Sequence, residues 1–103
     1  MDTHQKKRIE IIIEALLAEE ATQIIDRSGA MGYSILPLIG GKGLSGSWSS
    51  DGQVSQAQSK VAIICIIDAR KADDLLTTLF PIVSRQMGII SVSDVSVIRS
   101  EHF

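Results

Sequence analysis

The chain has 103 residues, 45% of them hydrophobic and 21% charged, with ten Lys plus Arg against twelve Asp plus Glu. About 100 residues is the common size of one domain, so a second core has no room to form, and this charged fraction argues against global disorder. A formal net charge of -2 removes the bulk attraction that drives non-specific nucleic-acid binding.

The N-terminal Met-Asp-Thr-His-Gln-Lys-Lys-Arg leads into Ile9–Ile13, which Glu10 interrupts and Glu14 closes. A signal peptide needs about seven uninterrupted apolar residues and a membrane span about 18, so neither is expected and the chain reads as cytoplasmic. From Lys7 to Glu14, Ile9, Ile11 and Ile13 take one face and Arg8, Glu10, Ile12 and Glu14 the other, the period of a strand. From Leu16 to Ser28 the apolar positions Leu17, Ala21, Ile24 and Ile25 recur at three and four residues, which predicts an amphipathic helix stopped by Gly29. Tyr33–Leu38, bounded by Gly32 and Gly40, reads as a second strand, with Pro37 tolerable at an edge or strand end.

Between Gly40 and Ser59 the aliphatic residues are only Leu44, Val54 and Ala57, so about a fifth of a small domain reads as loop. Lys60–Asp68 follows, apolar from Val61 to Ile67, the pattern of a strand covered on both faces. Lys71 to Met87 carries Leu75, Leu76, Leu79, Phe80, Val83 and Met87 at helical spacing, with Pro81 predicting a kink or an early end. The last strand is Ile89–Arg99. Its apolar phase switches near Asp94, from Ile90 and Val92 to Val95 and Val97, which predicts either a bulge or a strand serving two surfaces.

The order is βαββαβ: an α+β, ferredoxin-like domain with a four-stranded antiparallel sheet and two helices on one face. Two helices cover only one face, and Val61–Ile67 is apolar on the other too, so a homo-oligomer is expected, most simply a closed ring.

Gly40-Gly41-Lys42-Gly43-Leu44-Ser45-Gly46 contains G-x-G-x-x-G, but the following Ser-Trp-Ser-Ser-Asp-Gly is too poor a helix former for a dinucleotide fingerprint. A P-loop fails because Gly43, and not Ser or Thr, follows Lys42. Two readings stay open: a flexible linker, or glycine amides that converge on an anion with Lys42 adding charge. Ordering some twenty residues at about 1–2 kcal/mol each exceeds the roughly -8 kcal/mol of a micromolar ligand, so a ligand alone would fix only the loop's base. Trp48 is either a loop-packing residue or a partner anchor. Lys60 and Arg99, at strand ends, are solvated charges singly, or together with the loop base a clamp for phosphate or carboxylate across a subunit boundary.

Cys65, the single cysteine, reads as a small buried hydrophobe. Lys6-Lys7-Arg8 is too short for a nucleic-acid patch, and His4 and His102 stand at opposite termini, so no metal site is expected. No nucleophile–base pair with local context is present and no catalytic residue is assigned. The strand Lys60–Asp68 lacks the aromatics of an RNA-binding βαββαβ domain.

The succession Gly29-Ala30-Met31-Gly32-Tyr33-Ser34, a strand, a glycine-containing loop, Lys60-Val61-Ala62-Ile63-Ile64 and finally Asp94-Val95-Ser96-Val97-Ile98-Arg99 resembles the PII signal-transduction superfamily over nearly the whole chain. The resemblance implies a homotrimer that binds adenine nucleotides in clefts between subunits and contacts target proteins through a mobile T-loop, here residues 39–59. The loop lacks the modifiable tyrosine of the nitrogen-regulatory branch, and Arg85-Gln86-Met87-Gly88-Ile89-Ile90 stands where that branch has a glycine-rich B-loop with a phosphate-binding lysine. Gly40-Gly41-Lys42-Gly43 is more similar to PII-like proteins of inorganic-carbon metabolism, associated with carboxysomes or bicarbonate transporters, which bind ADP, AMP or cyclic AMP and in some cases bicarbonate. By that resemblance Ser34 and the loop base, Gly40, Gly41, Lys42 and Gly43, lie at the nucleotide, with ADP or AMP expected ahead of cyclic AMP or ATP. Lys60 and Arg99 lie near its phosphates, and Gly88 offers a backbone amide. Leu44 and Trp48 would meet a protein partner, and no cofactor is required. The alternatives are a CutA-type trimeric metal-tolerance protein, which the scarcity of His and Cys disfavours, and a small enzyme such as an acylphosphatase, which needs an asparagine this sequence lacks.

Overall fold

Alternation in the first strand places Ile9, Ile11 and Ile13, each at most 1% exposed, against the helices. In the computed structural model, which describes residues 1–43, 46–49, 59–85 and 88–99, this strand is β1 (His4–Glu14). It starts three residues before the sequence pattern does, because pairing with the last strand carries it back to His4. A 3-10 turn, Ala15–Leu17, leads into α1 (Ala18–Arg27). Glu19 and Glu20 in the first turn and Arg27 in the last complement the helix dipole. Gly29, at φ +91°, takes the left-handed conformation that ends the helix.

The edge strand β2 (Ser34–Pro37) leads into a segment that is not wholly the loop expected from Gly40 to Ser59. β3 (Gly40–Gly43) and β4 (Gly46–Ser49) pair as a small antiparallel ribbon, Gly40 opposite Ser49 and Gly43 opposite Gly46. The side chains gave no strand signal there because the ribbon rests on backbone pairing, with Gly46 at φ +103°. Residues 44, 45 and 50–58 lie outside the described residues.

β5 (Lys60–Ile67) and α2 (Ala69–Ser84) follow. α2 ends at Ser84, short of the Met87 to which the spacing runs, yet it continues past Pro81 and buries Ile82 and Val83 just beyond it, while Met87 lies outside the described residues. The proline lacks only the one N–H that would bond the preceding turn, and it does so near the helix end. The Gly88 amide closes that end on the Val83 carbonyl at 3.0 Å. β6 (Ile89–Val97) pairs with β1 without a break, from Ile12↔Ile89 to His4↔Val97, so the phase switch at Asp94 is not a bulge. Directly opposed residues share a face. Ile90 and Val92 therefore join Ile11 and Ile9 toward the helices, while Val95 and Val97 stand beside Lys6 and His4 on the opposite face.

The main sheet has the order β2-β5-β1-β6, all antiparallel, which is the ferredoxin-like fold. The core lies between one face and the helices, with Ile25, Ile63, Ile67, Leu75 and Leu79 at most 1% exposed alongside the β1 isoleucines. Each such side chain contributes about 1.5–3 kcal/mol. Arg85 bridges α2 to Glu20 of α1 at 3.1 Å.

Cys65 is buried in this core, and burial pushes its thiol from 9.0 up to about 11. The native protein is predicted to resist a thiol-specific disulfide reagent at neutral pH and to react once unfolded. The unfolded thiol ionises above 9.0 while the folded one keeps its proton. Stability is thus fully present below that pH and falls as pH rises toward about 11, by a few kcal/mol at most. Denaturant titration across that range, with Cys65→Ala as reference, checks the slope.

Candidate functional site

The strand register defines the sheet face that the helices leave uncovered. Leu36, Ala62, Ile12 and Ile89 form one row across all four strands, and Ser34, Ile64, Glu10 and Ser91 the next. Leu36 is 43% and Ile89 57% exposed. Charges frame this apolar strip. Arg8 reaches Glu10 at 3.5 Å, and Lys6 donates to Asp68 beyond the β1–β5 ladder. That hydrogen bond, helped by the charges of Lys6, Arg70 and Lys71, lowers the Asp68 pKa against the cost of burial.

At one end of the strip lies the loop base. Lys60 opens β5, opposite Glu14 of β1, and its carbonyl accepts the Leu38 amide at 3.0 Å. Its half-buried ammonium stands 5.0 Å from the centre of the Trp48 ring, within cation–π range. Trp48 is the cross-strand partner of Gly41, where a Cβ would come within 3.1 Å of three indole atoms. At Gly40 a Cβ would approach the Trp48 carbonyl oxygen to 2.9 Å. These two glycines therefore have a packing role: they let the tryptophan strand and its ring lie close. Lys42 pairs with Ser47 and is exposed, as is Gly43.

The other sequence-chosen residues divide by position. Gly88 lies at the same end of the sheet as Lys60, because a Cβ there would meet the Ile12 carbonyl oxygen at 2.9 Å. Its N–H is engaged with Val83, so its contribution to this end is close packing. Ser34 begins β2, exposed on the uncovered face beside Ile64. Arg99 follows β6, beyond the Val97↔His4 pair, whereas Lys60 pairs with Glu14 at the other end of β1. Ten residues of strand separate those ends, about 33 Å. One chain therefore does not bring Lys60 and Arg99 together. Leu44 lies outside the described residues.

What sequence reasoning missed is the Gly41–Trp48–Lys60 contact. No sequence signal marks it, because Gly41 and Trp48 become partners only through the register of the ribbon, which has no alternation of side chains to read. Away from the loop base, a concavity of about 270 Å³ between the helices is lined by Ile24, Arg27, Lys71, Asp74 and Thr78 among others. No three His, Cys, Asp or Glu side chains gather for a metal ion among the described residues. No helix among them is long and apolar enough to cross a membrane.

A four-stranded antiparallel sheet with two helices on one face and a glycine-rich excursion beside the other defines a small α+β domain of the ferredoxin-like class. The chain belongs to the nitrogen regulatory protein P-II family, whose family model matches residues 6–102. Among solved structures it is similar to CPII, a nitrogen regulatory PII-like protein from Thiomonas intermedia, bound to ADP, AMP and bicarbonate. That match has 28% identity and a TM-score of 0.87, covering 95% of this chain and 92% of the other. CPII bound to ADP and bicarbonate matches at 30% identity and a TM-score of 0.81, covering 95% and 93%. A protein from Thermus thermophilus assigned to PII-like signalling matches at 25% identity and a TM-score of 0.83, covering 100% and 99%. No curated protein sequence matches the chain.

Gly88→Ala is predicted to lower the urea midpoint, at a cost of about 1–3 kcal/mol, because the added Cβ meets backbone that cannot step aside. An unchanged midpoint would remove Gly88 from the packing of this end of the sheet.

Proposed function

We propose that this chain is a non-enzymatic, homotrimeric sensor. It binds an adenine nucleotide, ADP or AMP, in clefts between subunits, together with bicarbonate, and passes occupancy to a protein partner through residues 39–59. The observation that carries this reading is the separation of Lys60 and Arg99 to opposite ends of one sheet. In a head-to-tail ring, the Arg99 end of one subunit meets the loop base of the next, and two cations from different chains converge on one anion. The uncovered row Leu36, Ala62, Ile12 and Ile89 supplies the apolar surface for such a ring. The choice of ligand follows the relatives, since the Thiomonas protein binds ADP, AMP and bicarbonate. The ligand-binding residues would be Ser34, Gly40, Gly41, Lys42, Gly43 and Lys60 of one subunit, with Gly88 shaping the same end and Arg99 arriving from a neighbour. Leu44 and Trp48 would face the partner, a protein of inorganic-carbon metabolism such as a bicarbonate transporter or a carboxysome-related protein.

Isothermal titration with ADP, AMP, ATP and cyclic AMP, with and without bicarbonate, tests the ligand. Heat with ADP or AMP is expected, and no heat with any nucleotide would sink the claim. Arg99→Ala should weaken binding roughly 10- to 100-fold, the value of a charge-assisted hydrogen bond, whereas unchanged affinity would remove Arg99 from the site. Ile64→Asp places a charge in the centre of the bare face and is expected to yield monomers by light scattering. A trimer retained in that variant would show that the face is not the interface.

A further inference from the structure

The ammonium of Lys60 is not waiting empty at the loop base, because it lies over the ring of the chain's one tryptophan. We propose that Trp48 is a latch: it competes with an anionic ligand for Lys60, so that ligand binding releases the β3–β4 ribbon from the sheet. The proposal rests on the reading of the loop base as an anion site and adds how occupancy reaches the loop.

Three features make the ring, the ribbon and the lysine one unit. The indole is carried by β4, and its seat is Gly41 of β3, its cross-strand partner. Without a Cβ at that position the ring folds flat over the neighbouring strand, an aromatic filling the gap a strand glycine leaves. The third member, Lys60, belongs to β5 of the main sheet. The Trp48–Lys60 contact thus ties the ribbon to the sheet.

An ammonium has three donors and no acceptor, and a ring face gives it only a diffuse negative charge. Phosphate or bicarbonate oxygens give it charge-assisted hydrogen bonds, which are stronger. When such an anion takes Lys60, the ring loses its cation and the ribbon a side-chain tie to the sheet. Linkage makes the effect reciprocal: a ribbon held to the sheet weakens the anion, and a ribbon drawn away by another protein strengthens it equally.

Trp48 reports its own state by fluorescence. In the free protein, Lys60→Met should increase quenching of Trp48 by acrylamide. In the unmodified protein, titration with ADP in bicarbonate should shift the emission to the red as the ring enters water. Trp48→Leu should bind ADP about two- to fivefold tighter by calorimetry, since the ring then no longer competes for the lysine. Unchanged affinity in Trp48→Leu would overturn the latch, and weaker binding would mean that the ring contacts the ligand instead. If the unmodified protein binds no ADP, AMP or bicarbonate, the loop-base reading itself fails and the latch with it. ADP binding that leaves both the emission and the Trp48→Leu affinity unchanged fails the latch alone.

Discussion

β5 is apolar on both faces, and two helices can cover only one side of a four-stranded sheet. On the covered side Val61, Ile63, Cys65 and Ile67 meet the β1 isoleucines and the helices. On the other, Ile64 and Ile66 are half-buried by their neighbours within the sheet, and Leu36 and Ile89 stay open. Each half-exposed Leu or Ile that another subunit covers would contribute about 1 kcal/mol. The proposed trimer therefore follows from a surplus of apolar surface, and the site between subunits follows from the trimer.

The polar groups of that face are arranged so that assembly need not bury a lone charge. Arg8 stands by Glu10, Lys6 by Asp68, and Lys60 lies across from Glu14. A buried charge without a partner costs far more than a pair returns. In the proposed ring Lys60 and Arg99 stand at the rim, where an anion would lie between them. The same logic explains the Trp48 ring over Lys60: it shelters the cation without neutralising it, and a stronger acceptor can displace it.

The main elements were legible because packing dictates them. The alternation at Ile9, Ile11 and Ile13 and the helical spacing of Leu75, Leu79 and Val83 reflect which side chains must leave water, and the structure buries all of them. The phase switch in β6 was legible as well, and its unbroken register chooses the reading in which one strand serves two surfaces. The ribbon was not legible, because Gly40-Gly41-Lys42-Gly43 has no alternation to read and forms a strand through its backbone. Val83, beyond Pro81, carries the helical spacing in the sequence, and the helix reaches it because a lost hydrogen bond near a helix end is offset by the burial of Ile82 and Val83. Of the site, Lys60, Trp48 and Gly41 could be named one by one. Their contact depends on the ribbon bringing Trp48 to Lys60 at the start of β5, a tertiary event that no local pattern records. Gly88 was chosen for its amide, yet the space it leaves for Ile12, Ile13 and Val83 is what the fold uses.

The central claim is that a nucleotide is held between subunits, so assembly and ligand must travel together. Sedimentation velocity of the chain with ADP, followed at the absorbance of adenine, tests this most directly. The account predicts a single trimeric boundary that carries nucleotide, in a ratio of one per chain. A monomeric boundary, or a trimer that leaves the ADP behind, would contradict it.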